Sequence, residues 1–303
     1  MRKNRHWRLF GAILLGLLPL VLSGCSSALM DPKGQVGEEQ RVLILTAFAL
    51  MLIVVVPVIV MTLVFAWRYR EGNKEASYRP DWAHSTAIEV VVWLIPCLII
   101  VVLAILTYWT SHSLDPMKPI ETDSEQDALE IQAVSLDWKW LFIYPDQQIA
   151  TVNEVAFPED RPIHFRVTSG SVMNAFFIPA LGTQIYAMAG MDANLNLIAN
   201  EKGTFEGRST NYSGAGFSGM TFQSRALSES GFREWVRTVK DASGTLTYPT
   251  EYNALAKPSH DAPVQYYSDI SEGLYGDILD RFRKAPEMAG QAHEGGHTDE
   301  AVE

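Results

Sequence analysis

The chain has 303 residues, a formal net charge of −11, 48% apolar residues and two cysteines. Two cysteines cannot build a disulfide framework, a cysteine-rich zinc site or an iron–sulfur cluster. The acidic balance argues against nucleic acid as a partner, because its binders present a basic face.

The charge is unevenly laid. Up to Thr110 there are ten Lys and Arg against seven Asp and Glu; from Ser111 onward there are 14 against 28. That split points to a membrane-associated first part and an acidic soluble second part. Residues 1–24 read as a signal peptide: Arg2, Lys3, Arg5 and Arg8 precede the apolar run Leu9–Leu22, which is short for a membrane span. The run ends in Leu22-Ser23-Gly24-Cys25, which resembles a bacterial lipobox. The resemblance implies cleavage before Cys25 and lipidation of its thiol. The plainer alternative is an ordinary signal peptide with an incidental cysteine.

A short exported segment, 25–41, leads to Val42–Trp67, 26 residues without a charge; Val90–Trp109 gives 20 more. Each run is long enough to cross a hydrocarbon core of roughly 30 Å as a helix. Transmembrane helices are therefore predicted over 42–67 and 86–110. Trp67, Tyr69, Tyr108 and Trp109 stand near the ends, at the depth aromatic rings prefer. The loop 68–85 between them carries Arg68, Arg70, Lys74 and Arg79 and reads as cytoplasmic. With Cys25 outside, both signals give one topology, in which everything after Ser111 is periplasmic. Glu89 is the only acid in or beside the second span. Intramembrane ionisable groups are functional candidates, although at a helix end a carboxylate can simply reach water.

A linker, 111–128, leads to a run of short β-like segments. They are Leu129–Leu136, Trp138–Tyr144, Pro162–Thr168, Phe176–Pro179, Thr183–Met188, Asn194–Ala199 and Thr221–Leu227. Short runs broken by turn residues predict a β-sandwich or barrel over 129–228. In the segment 229–284, Phe232, Trp235, Val236 and Val239 have helical spacing, and a last helix is expected around Leu274–Arg283. The tail 285–303 holds five acids, three Gly and no Lys or Arg, a composition that predicts disorder. The fold class read from these elements is a membrane-anchored all-β protein. A two-helix transmembrane hairpin is followed by a β-sandwich and a short helical C-terminal segment.

Three stretches carry a family resemblance: Asp137-Trp138-Lys139-Trp140-Leu141-Phe142-Ile143-Tyr144-Pro145, Met173-Asn174-Ala175-Phe176-Phe177-Ile178-Pro179, and the loop from Asn211 to Met220. In this order, after two spans, they resemble the cupredoxin domain of subunit II of haem–copper respiratory oxidases. Lipobox and Tyr-rich C-terminal segment make the whole chain similar to the quinol-oxidising branch, the cytochrome bo-type ubiquinol oxidases. The copper-bearing branch holds dinuclear CuA with an upstream His and then Cys-x3-Cys-x3-His-x2-Met, because soft thiolates must bridge the metals. Here the positions resembling those ligands are Asn174, Tyr212, Gly216 and Met220. A shift by one residue gives Ser213, Phe217 and Thr221, and neither register supplies a thiolate or an imidazole. No Cys follows Cys97, and no His lies between His164 and His260.

The resemblance therefore implies a subunit that binds no cofactor itself and takes no electrons from cytochrome c. Haems and copper are expected in a catalytic subunit I, with ubiquinol as the substrate of the complex. Further small membrane subunits and the lipid bilayer are the other implied partners. The resemblance also implies that Glu89 lies at the mouth of a proton channel into subunit I. Other candidates read more plainly. Met173, Met188, Met191 and Met220 are core filler rather than a copper(I) site. His293 and His297 are separated by Gly295 and Gly296, which disfavours the helix that would align them. His164 reads as a strand-surface residue, Trp138 and Trp140 as packing or subunit contact, and Asp123, Glu125 and Asp127 as a solvated acidic stretch. The competing reading of the whole chain is a membrane-anchored cupredoxin-like lipoprotein acting as a binding or chaperone module.

Overall fold

The computed structural model describes residues 28–77, 81–120 and 127–283. The signal peptide, Cys25, Asp123, Glu125 and the tail with its two histidines lie outside the described residues. The chain divides into a helical unit, Glu39–Asp115, and a second unit formed by the remainder.

In the helical unit, α1 (Gln35–Arg68) and α2 (Thr86–Ser113) are the two long helices. Uncharged apolar runs become helices in a bilayer because a helix satisfies its backbone polar groups internally. α1 starts ahead of the apolar run, at Gln35, with Glu38 in its first turn and Arg68 in its last. Those charges complement the helix dipole. Pro57 and Pro96 lie inside the two helices. Both border an apolar cleft of about 580 Å3, with Met61, Ile88 and Val92. No residue of α2 is buried within the chain, so its aliphatic surface must be covered by lipid or protein.

The second unit is a two-sheet sandwich. One sheet has β1 (Leu129–Leu136), β2 (Lys139–Tyr144), β3 (Ile149–Val152), β5 (Ile163–Ser169), β8 (Ala193–Leu197) and β12 (Gln265–Tyr267), in the order β12-β3-β2-β1-β5-β8. The other has β4 (Glu154–Pro158), β6 (Asn174–Phe177), β7 (Ile185–Ala187), β9 (Gly203–Ser209) and β10 (Thr221–Leu227), in the order β4-β10-β9-β6-β7. β1 runs parallel to β5, and β4 parallel to β10, while most other neighbours are antiparallel. Between the sheets Phe176 stacks on Phe222 with ring centroids 5.2 Å apart, and Trp140 meets Phe176 edge-on at 5.2 Å. Aromatic pairs of this kind add stability beyond their buried area.

β2 is buried along its whole length because the C-terminal segment covers its second face. Leu141 and Ile143 point into a separate apolar cluster with Tyr252, Leu274 and Ile278. A strand covered on both faces reads as a continuous apolar run rather than an alternating one, and Trp140-Leu141-Phe142-Ile143-Tyr144 has that pattern. The covering segment contains α3 (Glu229–Lys240), β11 (Thr245–Leu246), α4 (Thr250–Leu255), β12, β13 (Asp269–Ile270) and a final helix over 274–283. Ser228 caps α3 by accepting from the Gly231 N–H, and Phe232, Trp235 and Val239 enter the main core. The segment is thus not purely helical: β12 pairs with β3 and extends the sandwich.

Two buried polar groups fasten this segment. The Glu154 carboxylate accepts from Trp235 Nε1 at 2.7 Å and from the Tyr266 hydroxyl at 2.6 Å. The Lys139 ammonium donates to the carbonyls of Leu255 and Lys257 at 2.9 and 2.7 Å, and burial pushes its pKa below the usual lysine value. The Lys33 N–H donates to the Ala180 carbonyl at 2.6 Å, which ties residues ahead of α1 to the sandwich.

Candidate functional site

The positions resembling copper ligands lie at one end of the sandwich. Asn174 opens β6 and is fully buried. Its Nδ2 donates to the Val172 carbonyl at 3.2 Å and to Ser135 Oγ at 3.4 Å, and its Oδ1 accepts from Ser209 Oγ at 2.8 Å. Both N–H donors and the carbonyl of the amide are thus engaged by groups of the sandwich itself. Met220 follows the short 3-10 turn Phe217–Gly219 and is buried in the core. Its carbonyl accepts from the Ser209 N–H at 3.1 Å, so Ser209 links it to Asn174.

Gly216 and Tyr212 do not join this pair. A Cβ on Gly216 would collide with the ring of Trp138, so the indole occupies the space beneath the loop. Trp138 sits in the β1–β2 turn with φ of 66°, a conformation that costs a bulky residue roughly 1–2 kcal/mol. Its Nε1 donates to the Ser213 carbonyl at 3.1 Å and its ring lies 4.7 Å from that of His260. Tyr212 is 75% exposed, its ring against Phe217. The donor set at this end of the sandwich is therefore an amide, a hydroxyl pair, a thioether and a phenol that faces solvent. No thiolate is among them, and the one imidazole nearby, that of His260, lies against the Trp138 ring; a dinuclear copper centre that shares an electron through sulfur does not fit.

Glu89 lies in the first turn of α2, where the helix dipole favours a carboxylate. Its Oε1 is 2.7 Å from His84 Nδ1, and both side chains are exposed within the chain, 55% and 62%. Sequence reading missed His84; the available signal was its position just ahead of the α2 start at Thr86.

The remaining candidates separate. Met220 is core, but Met173 and Met191 are exposed, so the reading of the methionines as core filler fails for those two. His164 is half-buried on β5, with Nδ1 2.9 Å from Asn196 Oδ1. Trp140 is core, whereas Trp138 braces the loop. Ser135, Ser209 and Trp138, which hold this end of the sandwich together, were not singled out for that role from sequence, because hydropathy gives no sign of it.

Residues 146–226 match the family described as cytochrome C oxidase subunit II, periplasmic domain, and residues 240–284 match the COX Aromatic Rich Motif. The chain is 57% identical over 280 residues to cytochrome bo(3) ubiquinol oxidase subunit 2 of Pseudomonas aeruginosa, covering 92% of this chain and 84% of that one. It is 50% identical over 269 residues to ubiquinol oxidase subunit 2 of Acetobacter aceti, covering 89% and 87%. Quinol oxidase subunit 2 of Bacillus subtilis is 40% identical over 253 residues, covering 82% and 78%. The chain belongs to the quinol oxidase subunit II family.

As a subunit II chain it is one component of an oxidoreductase complex. Its two membrane-length helices anchor it in a bilayer, and its β domain is of the periplasmic kind. The aromatic-rich match coincides with the segment that covers β2, which explains why that segment is so rich in rings. Tyr252 and Tyr275 fill the second apolar cluster, and Tyr266 binds Glu154.

Proposed function

We propose that this chain is the non-metal-binding subunit II of a proton-translocating ubiquinol oxidase. Ubiquinol is oxidised to ubiquinone and dioxygen is reduced to water, with haems and copper held by a catalytic subunit I. In this reading the β domain supports assembly on the periplasmic face, Cys25 carries lipid, and Glu89 stands at the mouth of a proton channel. The observation that carries the reading is Asn174. At the position of a copper-binding His there is an amide whose hydrogen bonds all close within the sandwich. Such a domain has no means to accept single electrons from a soluble cytochrome, so a membrane-soluble two-electron donor must be oxidised elsewhere in the complex. Family membership at 57% identity supports the same reading.

The test is affinity isolation of the chain from its native membrane. A haem-bearing, multi-spanning partner should accompany it, the preparation should show quinol:oxygen reductase activity, and no CuA absorption should arise from this domain. A lone colourless chain, or turnover driven by cytochrome c, overturns the proposal.

A further inference from the structure

A cavity of about 530 Å3 lies between β2 and the segment from Glu251 to Tyr267. Lys139, only 2% exposed, lines it. A lysine ammonium has three N–H donors. The two hydrogen bonds of Lys139 go to neutral carbonyls, those of Leu255 and Lys257. Asp137 acts on it only through space, without a hydrogen bond. Burying a cation without an anionic partner is costly, and carbonyl dipoles offset only part of that cost. The same cavity is lined by Lys257, His260, Gln265 and Ser259. The Ser259 hydroxyl is buried and has no hydrogen-bond partner among the described residues. Donor-bearing residues thus line the space from β2 and from the covering segment. The one acid of the lining, Glu251, is exposed, where solvent screens it.

We propose that this cavity binds a phosphate-type oxyanion, held by the Lys139 and Lys257 ammonium groups and the Ser259 hydroxyl. A free phosphate and the phosphoryl headgroup of an anionic lipid share that chemistry. The orphaned hydroxyl would then gain an acceptor, and the buried ammonium an anionic partner beside its two carbonyls. The inference concerns a space that the quinol oxidase reading does not use, and it stands or falls separately.

The test is calorimetric titration of the detergent-solubilised full chain, with inorganic phosphate in one arm and glycerol phosphate, a lipid headgroup without its chains, in the other. Saturable binding of either anion supports the site, and the tighter of the two identifies the source. Lys257→Ser should weaken binding roughly tenfold, the value of one charge-assisted hydrogen bond. Glu251→Gln should tighten it about two- to fivefold by removing a surface repulsion. Lys139→Met should abolish it; because that variant removes an anchor of the covering segment, the two rim variants decide the matter if it does not fold. Absence of saturable heat with both anions, or affinities unchanged in both rim variants, overturns the proposal.

Discussion

Asn174 shows how one residue can close a site without leaving a void. Its amide bonds three partners from different parts of the sandwich, Ser135, Val172 and Ser209. Asn174→Ala should therefore leave buried hydroxyls unpaired and cost about 1–3 kcal/mol in denaturant unfolding, while the turnover of oxidase that does assemble stays normal. Tyr252 is the opposite case. Its hydroxyl is buried with no partner among the described residues, so Tyr252→Phe should change stability by less than about 0.5 kcal/mol or raise it. Glu89 is the residue to which the proposed function gives a proton-entry role. Glu89→Ala should slow proton uptake and steady-state turnover, read as the rates of proton uptake and of quinol-driven oxygen consumption, with subunit stoichiometry unchanged. Normal turnover in that variant would remove Glu89 from the proton path.

At the scale of elements, the C-terminal segment depends on the sandwich and the sandwich on it. α3 is amphipathic and short, and isolated helices of that length are marginal in water. It is held by Phe232, Trp235 and Val239 in the core and by the Trp235 bond to Glu154. Trp235→Phe keeps most of the apolar volume but removes a donor from a buried carboxylate. It should cost about 1.5–3 kcal/mol and loosen β12, whose Tyr266 shares the same oxygen. Hydrogen exchange should show faster opening at 265–267 than at β1. The β1–β2 turn is a second case: Trp138 accepts a left-handed backbone in return for bracing the loop above it.

For the whole molecule, ring burial sets the alkaline limit. Burial raises Tyr252 and Tyr266 from 10.0 to about 12, and Tyr144 and Tyr275 are raised for the same first cause. Above the unfolded value the unfolded chain loses phenolic protons that the folded chain keeps, so stability falls as pH rises. The contribution is complete below pH 10.0 and is lost between there and about 12 for Tyr252 and Tyr266; thermal unfolding followed across that range should show a progressive drop. The sequence alone was enough for the two membrane helices, for β1 and β10 and for the lack of copper ligands, because these rest on local facts: uncharged length, apolar runs and residue type. It did not reveal β3, β4 or β9. β3 has four residues and is joined to β4 through Asn153 alone, in a left-handed conformation. β9 carries Gly203 and Gly207, which lower strand propensity, yet Gly207 is required because a Cβ there would run into Phe222. Only the tertiary structure decided which polar residues are interior. Lys139, Glu154 and Asn174 look like surface residues in a hydropathy profile, and their roles come from partners distant in the chain, since a buried polar group persists only where such partners meet it.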